Sequence, residues 1–468
     1  MFSLAAIPTG RYFLAADVML PSVRHPLPLL AIALVLQLSA VDRAWAHAGA
    51  LPQTIDVFPL PGHEVAEGLE TTFGLLLSPD GQEFQWLCHE AITADLVFVT
   101  PEYLRNQDGV ILAVTGLLSE GLLDPEQSLY RSTDGCSWSG VEGMGGRLVS
   151  SAAFHPEDGE VALAVLGATG LEADNGIWRS SDSGLTWADT GVDGGSRLFR
   201  DVRFSDRSGS VAWAIAVWFD PLQSWVYRSL DGGVTWEVHT LDFAVGGRVQ
   251  TTVEVAAASS DGLRVWLRVA TATSDYLLAS TDGGETFEEV LAVEGLIHDV
   301  ALAPGDTLWV STEASGLLRS HDGVNFEPVA DAPRTYGIAA DDRGLLVAVD
   351  IEAHDFALAL SADGELFAPL LGVDATVGPW ACAPGTRSAE ICDPLWPYVA
   401  AQLGLGDYPS EVAPWSGLDV DEDGAPSGCG CAGTVSSDSG GRQPRGVGWL
   451  TLLLVGLSAG VARRSVAR

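Results

Sequence analysis

The 468-residue chain carries 24 Lys+Arg against 62 Asp+Glu, a formal net charge of −38, and every basic side chain is an arginine. A surface this acidic repels phosphate groups, which excludes nucleic acid as a partner and electrostatic adhesion to anionic lipid. The 47% hydrophobic and 18% charged fractions are those of a folded protein, and 53 Gly, 24 Pro and 15 Trp fit many short strands and turns better than long helices.

Near the N-terminus Arg24 and His25 precede an apolar run from Leu27 to Leu38, followed by Ala44-Trp45-Ala46. A short positive region, an apolar stretch of this length and an A-x-A site describe a secretory signal peptide, with cleavage after Ala46 or after Ala48. A membrane anchor would need about 18 or more apolar residues. Met19 stands where such a signal would begin, so it is a candidate for the true start.

From Ser78 onward one motif returns: a serine, any residue, an aspartate, a nearby glycine, then an aromatic residue. The full form is Ser180-Ser181-Asp182-Ser183-Gly184-Leu185-Thr186-Trp187, repeated from Ser229 to Trp236 and from Ser280 to Phe287. Forms one residue shorter run from Ser78 to Phe84, Ser132 to Trp138, Ser320 to Phe326 and Ser361 to Phe367. The aspartates are Asp80, Asp134, Asp182, Asp231, Asp282, Asp322 and Asp363, at intervals of 54, 48, 49, 51, 40 and 41. Short apolar stretches run into most motif serines (Ile177-Trp178-Arg179, Val226-Tyr227-Arg228), and β-rich runs such as Val211 to Val217 lie upstream. Each unit therefore reads as three or four short strands separated by turns.

The motif resembles the Asp-box, or BNR repeat, of sialidases, sortilin-type receptors and photosystem II assembly factors, over Ser78 to Phe367. The four shorter copies depart from it by a missing residue. The resemblance implies an all-β fold, a β-propeller, with seven blades favoured and six plus a decayed repeat as the alternative. The aspartates are expected to be structural: an Asp at a strand–turn–strand junction accepts turn amides, and repeated positions in a ring cannot converge on one site. Arg131, Arg179, Arg228 and Arg319 share one register before the motif serine and are read as part of the repeat. No Arg-Ile-Pro opening precedes the first motif. No phosphate-binding glycine loop and no metal-ligand spacing among the nine histidines appear, and His89 beside Cys88 reads as an ordinary buried or surface residue, so no cofactor or metal is expected.

Beyond Phe367 the pattern changes. Cys382 and Cys392 are expected to bridge a short loop, leaving Cys88 to pair with Cys136. Apolar spacing from Pro394 to Leu403 predicts a helix with proline in its first turn. Asp419, Asp421 and Asp423 mimic half a calcium loop, but Gly430 stands at position twelve where a Glu belongs, so this stretch reads as solvated linker. Cys429 and Cys431, the apolar segment Val447–Ala462, and Arg463, Arg464 and Arg468 close the chain. That order resembles the MYXO-CTERM sorting signal, which implies processing near Cys429 or Cys431 and display on the cell surface. An unprocessed C-terminal membrane anchor is the alternative.

The expected division is a leader over 1–46, a propeller over 47–377, a disulfide-held helical appendage over 378–409, a linker over 410–446 and a sorting helix over 447–468. The expected function is a non-enzymatic, surface-anchored module binding a protein or glycan. The alternative is an extracellular glycosidase of sialidase-like type. Its mark would be inward-facing acids from two blades beside a tyrosine and a non-repeating arginine such as Arg203, Arg264 or Arg268.

Overall fold

The computed structural model describes residues 53–59, 67–78, 81–92, 101–115, 127–168, 174–219, 222–241 and 250–407. The expected leader, linker and sorting segment, with Cys429 and Cys431, lie outside these residues. The described chain forms seven sheets, each an antiparallel meander of four consecutive strands, and the first sheet gains a fifth strand. The first strands of neighbouring sheets contact one another at six of the seven junctions, so they line the axis of a ring. The fold is a seven-bladed all-β propeller. The six-bladed alternative is excluded by the count of sheets.

The serine–aspartate turns join the third and fourth strands of their blades, as in Ile177–Ser180 to Ala188–Asp189. Their glycines explain why the motif recurs. Gly184, Gly233, Gly284, Gly323 and Gly364 all have positive φ. Each also sits where an added Cβ would strike the preceding blade, at Leu112, Leu163, Trp213, Trp266 and Trp309 respectively. These are second-strand residues of the preceding blades, so each of these five turns is a contact surface for its neighbour. Gly364→Ala should lower stability by about 2 kcal/mol, combining left-handed strain with collision against Trp309. Gly305→Ala, at positive φ but with open space around it, should show the smaller strain alone. Urea unfolding of both variants reads the difference, and equal losses would refute the packing argument.

Arginines of the shared register staple the blades. Arg131 Nε donates to Ser183 O at 2.9 Å and Arg179 Nε to Gly232 O at 3.0 Å, each in the next blade's turn.

Ring closure corrects the expected disulfides. Cys88 pairs with Cys392 and Cys136 with Cys382, not Cys382 with Cys392 or Cys88 with Cys136. The cause is topological. Thr376–Pro379 returns beside the outer strand of blade 1, Phe84–Leu87, as its fifth and parallel strand. That carries the C-terminal segment across blades 1 and 2, between two cysteines distant in sequence. The helix also differs from expectation, running over Arg387–Gln402 with Pro394 and Pro397 inside it. Glu390 and Asp393, the residues four before each proline, are exposed, so water can satisfy their unbonded carbonyls. The buried side of the helix is anchored: Arg387 Nε donates to Ala91 O at 2.8 Å and Ser388 Oγ to Gly135 O at 2.7 Å.

Candidate active site

The motif aspartates are not brought together. Each described one accepts hydrogen bonds within its own turn. Asp182 Oδ1 receives Thr186 N at 2.8 Å and Ser180 Oγ at 2.9 Å; Asp231 and Asp282 repeat the arrangement with Thr235 and Thr286. Asp134, Asp322 and Asp363 accept the turn amides of the shorter form. Asp80 lies outside the described residues. These bonds favour the charged form, led by Thr286 at Asp282, whose carboxyl falls to about 2.

A different set of carboxyls meets at the ring axis. In a four-strand meander the turns between strands three and four lie at one end of the blade, and the connections into each inner strand lie at the other. Near that second end, six inner strands carry a β-bulge. The extra residues are Ile55, Ser150, Arg200, Thr251, His298 and, in blade 7, one of the pair Tyr336–Gly337 that together oppose Ala348. Bulges re-aim the side chains beside them. The residues that follow are Asp56, Ser151, Asp201, Thr252, Asp299 and Ile338. Three blades thus place an aspartate at one equivalent height near the axis.

These aspartates bridge blades. Asp201 accepts Ser151 Oγ from blade 3 at 3.1 Å and Val255 N from blade 5 at 2.7 Å. Asp299, in blade 6, accepts Ile338 N of blade 7 at 2.8 Å. Asp56 reaches over blade 7 from the other side and fills the place where Gly337 would carry a Cβ. Asp56 and Asp299 thereby share a hydrogen bond. Two carboxyls in that relation hold one proton between them, and burial together with the Asp56 charge pushes Asp299 up to about 8.

Glu70, Glu102, Glu254 and Asp206 complete the cluster, and Arg203 and Arg268 enter it. Arg203 faces Asp206, Asp299, Asp201 and Asp56, and donates to Ala256 O. Arg268 binds Glu254 at 3.1 Å and the fully buried Asp275 at 2.8 Å. Glu102, on the inner strand of blade 2, stands apart. Burial first, then the negative Asp201 and Glu254, raise its carboxyl to about 8. Glu102 is half-buried, and this rise favours its protonated form at neutral pH. Glu254 is raised by burial, with the Arg268 charge opposing that rise.

Of the non-repeating arginines named from sequence, Arg203 and Arg268 enter the cluster. Arg264 does not: it pairs with Asp306 at 2.7 Å, both partly exposed. Tyr103 lies next to Glu70 but is buried, its hydroxyl 2.8 Å from Nδ1 of the buried His89. The carboxyls of the cluster escaped the sequence reading. Asp56-Val57, Asp201-Val202 and Asp299-Val300 do recur as dipeptides opening three blades, which is the signal that could have found them.

No family model matches the sequence. A curated xyloglucanase of Hypocrea jecorina (strain QM6a) is 29% identical over 198 residues, which is 39% of this chain and 22% of that protein. The chain thus spans under a quarter of the relative's length. Among solved structures, a GH74 xyloglucanase from Xanthomonas campestris is 16% identical, covering 69% of this chain and 54% of its own at a TM-score of 0.46. A Hadza microbial sialidase is 14% identical, covering 62% and 72% at a TM-score of 0.38. The curated relative overturns the expectation of a non-enzymatic binder. It is an enzyme, and it favours the glycosidase alternative.

Proposed function

We propose that this chain is an exported, surface-displayed glycoside hydrolase acting on xyloglucan or a similar neutral glucan. The observation that carries the reading is the carboxyl cluster at the ring axis, where Arg268 binds Glu254 at 3.1 Å and burial with the negative Glu254 raises Glu102. Glycosidic hydrolysis needs such a pair, one acid and one charged carboxylate held apart by their surroundings. Glu102 protonates the bridging oxygen as its bond to the anomeric carbon breaks. Glu254 takes a proton from the water that adds to that carbon, and solvent exchange restores both groups. The resemblance of the serine–aspartate turns to Asp-boxes and of the tail to a sorting signal supports a rigid scaffold tethered outside the cell.

The test is reducing-end release from xyloglucan and cellulosic oligosaccharides across pH. Activity should fall on the alkaline side as Glu102 loses its proton near 8, and on the acid side as Glu254 gains one. No release from any neutral glucan, or an alkaline limb unmoved by Glu102→Gln, would overturn the proposal.

A further inference from the structure

The connection into the inner strand of blade 4 faces two indoles. Its backbone is tied down: Gly194 N donates to Asn175 O at 3.1 Å, Arg197 N to Gly194 O at 2.9 Å and Gly195 N to Asp193 Oδ1 at 2.9 Å. Trp218, near the end of the second strand, and Trp225, within the third strand of the same blade, stand opposite. Together they enclose an open hollow of about 450 Å³ lined by Asp193, Ser196, Arg197 and both tryptophans. The Arg197 guanidinium lies 4.5 Å from the centre of the Trp225 ring and donates to Tyr227 Oη at 2.6 Å.

Blade 3 carries the same device with a different outcome. Both blades open on paired glycines followed by arginine and leucine, Gly145-Gly146-Arg147-Leu148 and Gly194-Gly195-Ser196-Arg197-Leu198. Arg147 lies 4.4 Å from the centre of the Trp178 ring, but its charge is paired with Asp174. Among the described residues no carboxylate pairs with Arg197, and one of its five N–H donors is used, on Tyr227. The blade 3 arginine is satisfied internally; the blade 4 arginine is held rigid and left open.

We propose that the blade 4 hollow is a subsite for a neutral pyranose ring. This inference deepens the hydrolase reading and rests on it. The carbon face of a pyranose is apolar and stacks on an indole, while its hydroxyls both accept and donate, matching Arg197 and Asp193 at once. A sugar carboxylate would suit Arg197 but face Asp193 and the strongly negative chain. The hollow lies at the same end of the ring as the bulges, with Arg197 four residues before Asp201, about 13 Å of extended strand. A glucan lying there reaches the carboxyl cluster at the channel mouth.

Isothermal titration of the full chain in the Glu102→Gln background with cellohexaose reads binding without turnover, and oligogalacturonate serves as the anionic probe. Trp218→Ala and Arg197→Ala should each weaken cellohexaose at least tenfold, Trp218→Phe should retain most of the affinity, and Arg147→Ala should stay within twofold. Thermal unfolding of each variant separates a lost subsite from a lost fold. Unchanged affinity in folded Trp218→Ala and Arg197→Ala, no binding by the Glu102→Gln parent, or preference for oligogalacturonate would each overturn the subsite. If the chain cleaves glucan while those variants bind normally, the subsite falls and the hydrolase stands. If it binds through Trp218 but never cleaves, the reverse holds.

Discussion

Glu102→Gln should lower glucan turnover by about 10²–10⁴-fold, the usual contribution of a positioned general acid, while making the protein more stable at pH 8. The two effects share one cause. In the unfolded chain Glu102 ionises near its ordinary value of 4.5, whereas in the ring it holds its proton to about 8. Below pH 4.5 both states are protonated and nothing is lost. Between 4.5 and 8 the unfolded chain gains from ionising while the folded one does not, so stability drains away across that window. A shift of this size corresponds to roughly 3–5 kcal/mol at pH 8, an upper bound for a half-buried side chain that solvent partly screens. Asp299, held to about 8 by burial and by Asp56, acts in the same direction. The turn aspartates act oppositely: Asp282, lowered to about 2, contributes stability above 3.8 that disappears as pH falls through its folded value. The melting temperature should therefore be highest in mildly acidic solution and decline toward pH 8, with a shallower decline in Glu102→Gln. Calorimetry from pH 3 to 9 decides this. Parallel profiles for the two proteins would mean that Glu102 is ionised in the ring and cannot serve as the acid.

The contrast between those two groups of carboxylates marks what was readable from the sequence. Asp182, Asp231 and Asp282 announce themselves because a turn bonds its own aspartate locally, so motif, spacing and structure coincide within eight residues. Seven such turns count seven blades, and the fold follows. Asp56, Asp201 and Asp299 depend instead on bulges, which exist only once two strands are paired, and on the partners Ile338 and Val255 in other blades. Apart from the Asp-Val dipeptide they share, nothing local separates them from the other acidic residues. Even Gly337, which lets Asp56 and Asp299 meet, is one glycine among 53. The disulfides were misread for the same reason. Cys382 and Cys392 are neighbours in sequence, but the parallel strand Thr376–Pro379 and the helix after it lay them along two different blades.

Removing that clasp should be the most damaging change outside the ring axis. Cys88–Cys392 closes a loop of 304 residues and Cys136–Cys382 one of 246, so each restrains nearly the whole unfolded ring. Loss of either bridge should cost about 2–5 kcal/mol, lowering the melting temperature of a domain this size by roughly 3–7 °C. The effect of losing both should exceed either alone, because blade 1 is otherwise joined to the C-terminal segment by one short parallel strand pair, the Arg387 bond to Ala91 O and the packing of Trp380 and Trp396. Trp380 Nε1 donates to Asp134 O at 2.8 Å and its ring covers Gly135, so the segment also supports the second blade's turn. Melting of Cys88→Ser/Cys392→Ser, of Cys136→Ser/Cys382→Ser and of the quadruple variant measures each contribution. Limited proteolysis should then cut first between residues 380 and 407. Cleavage elsewhere in the ring before that segment, or melting temperatures unchanged by the substitutions, would show that strand pairing and side-chain packing hold the closure without the sulfur bridges.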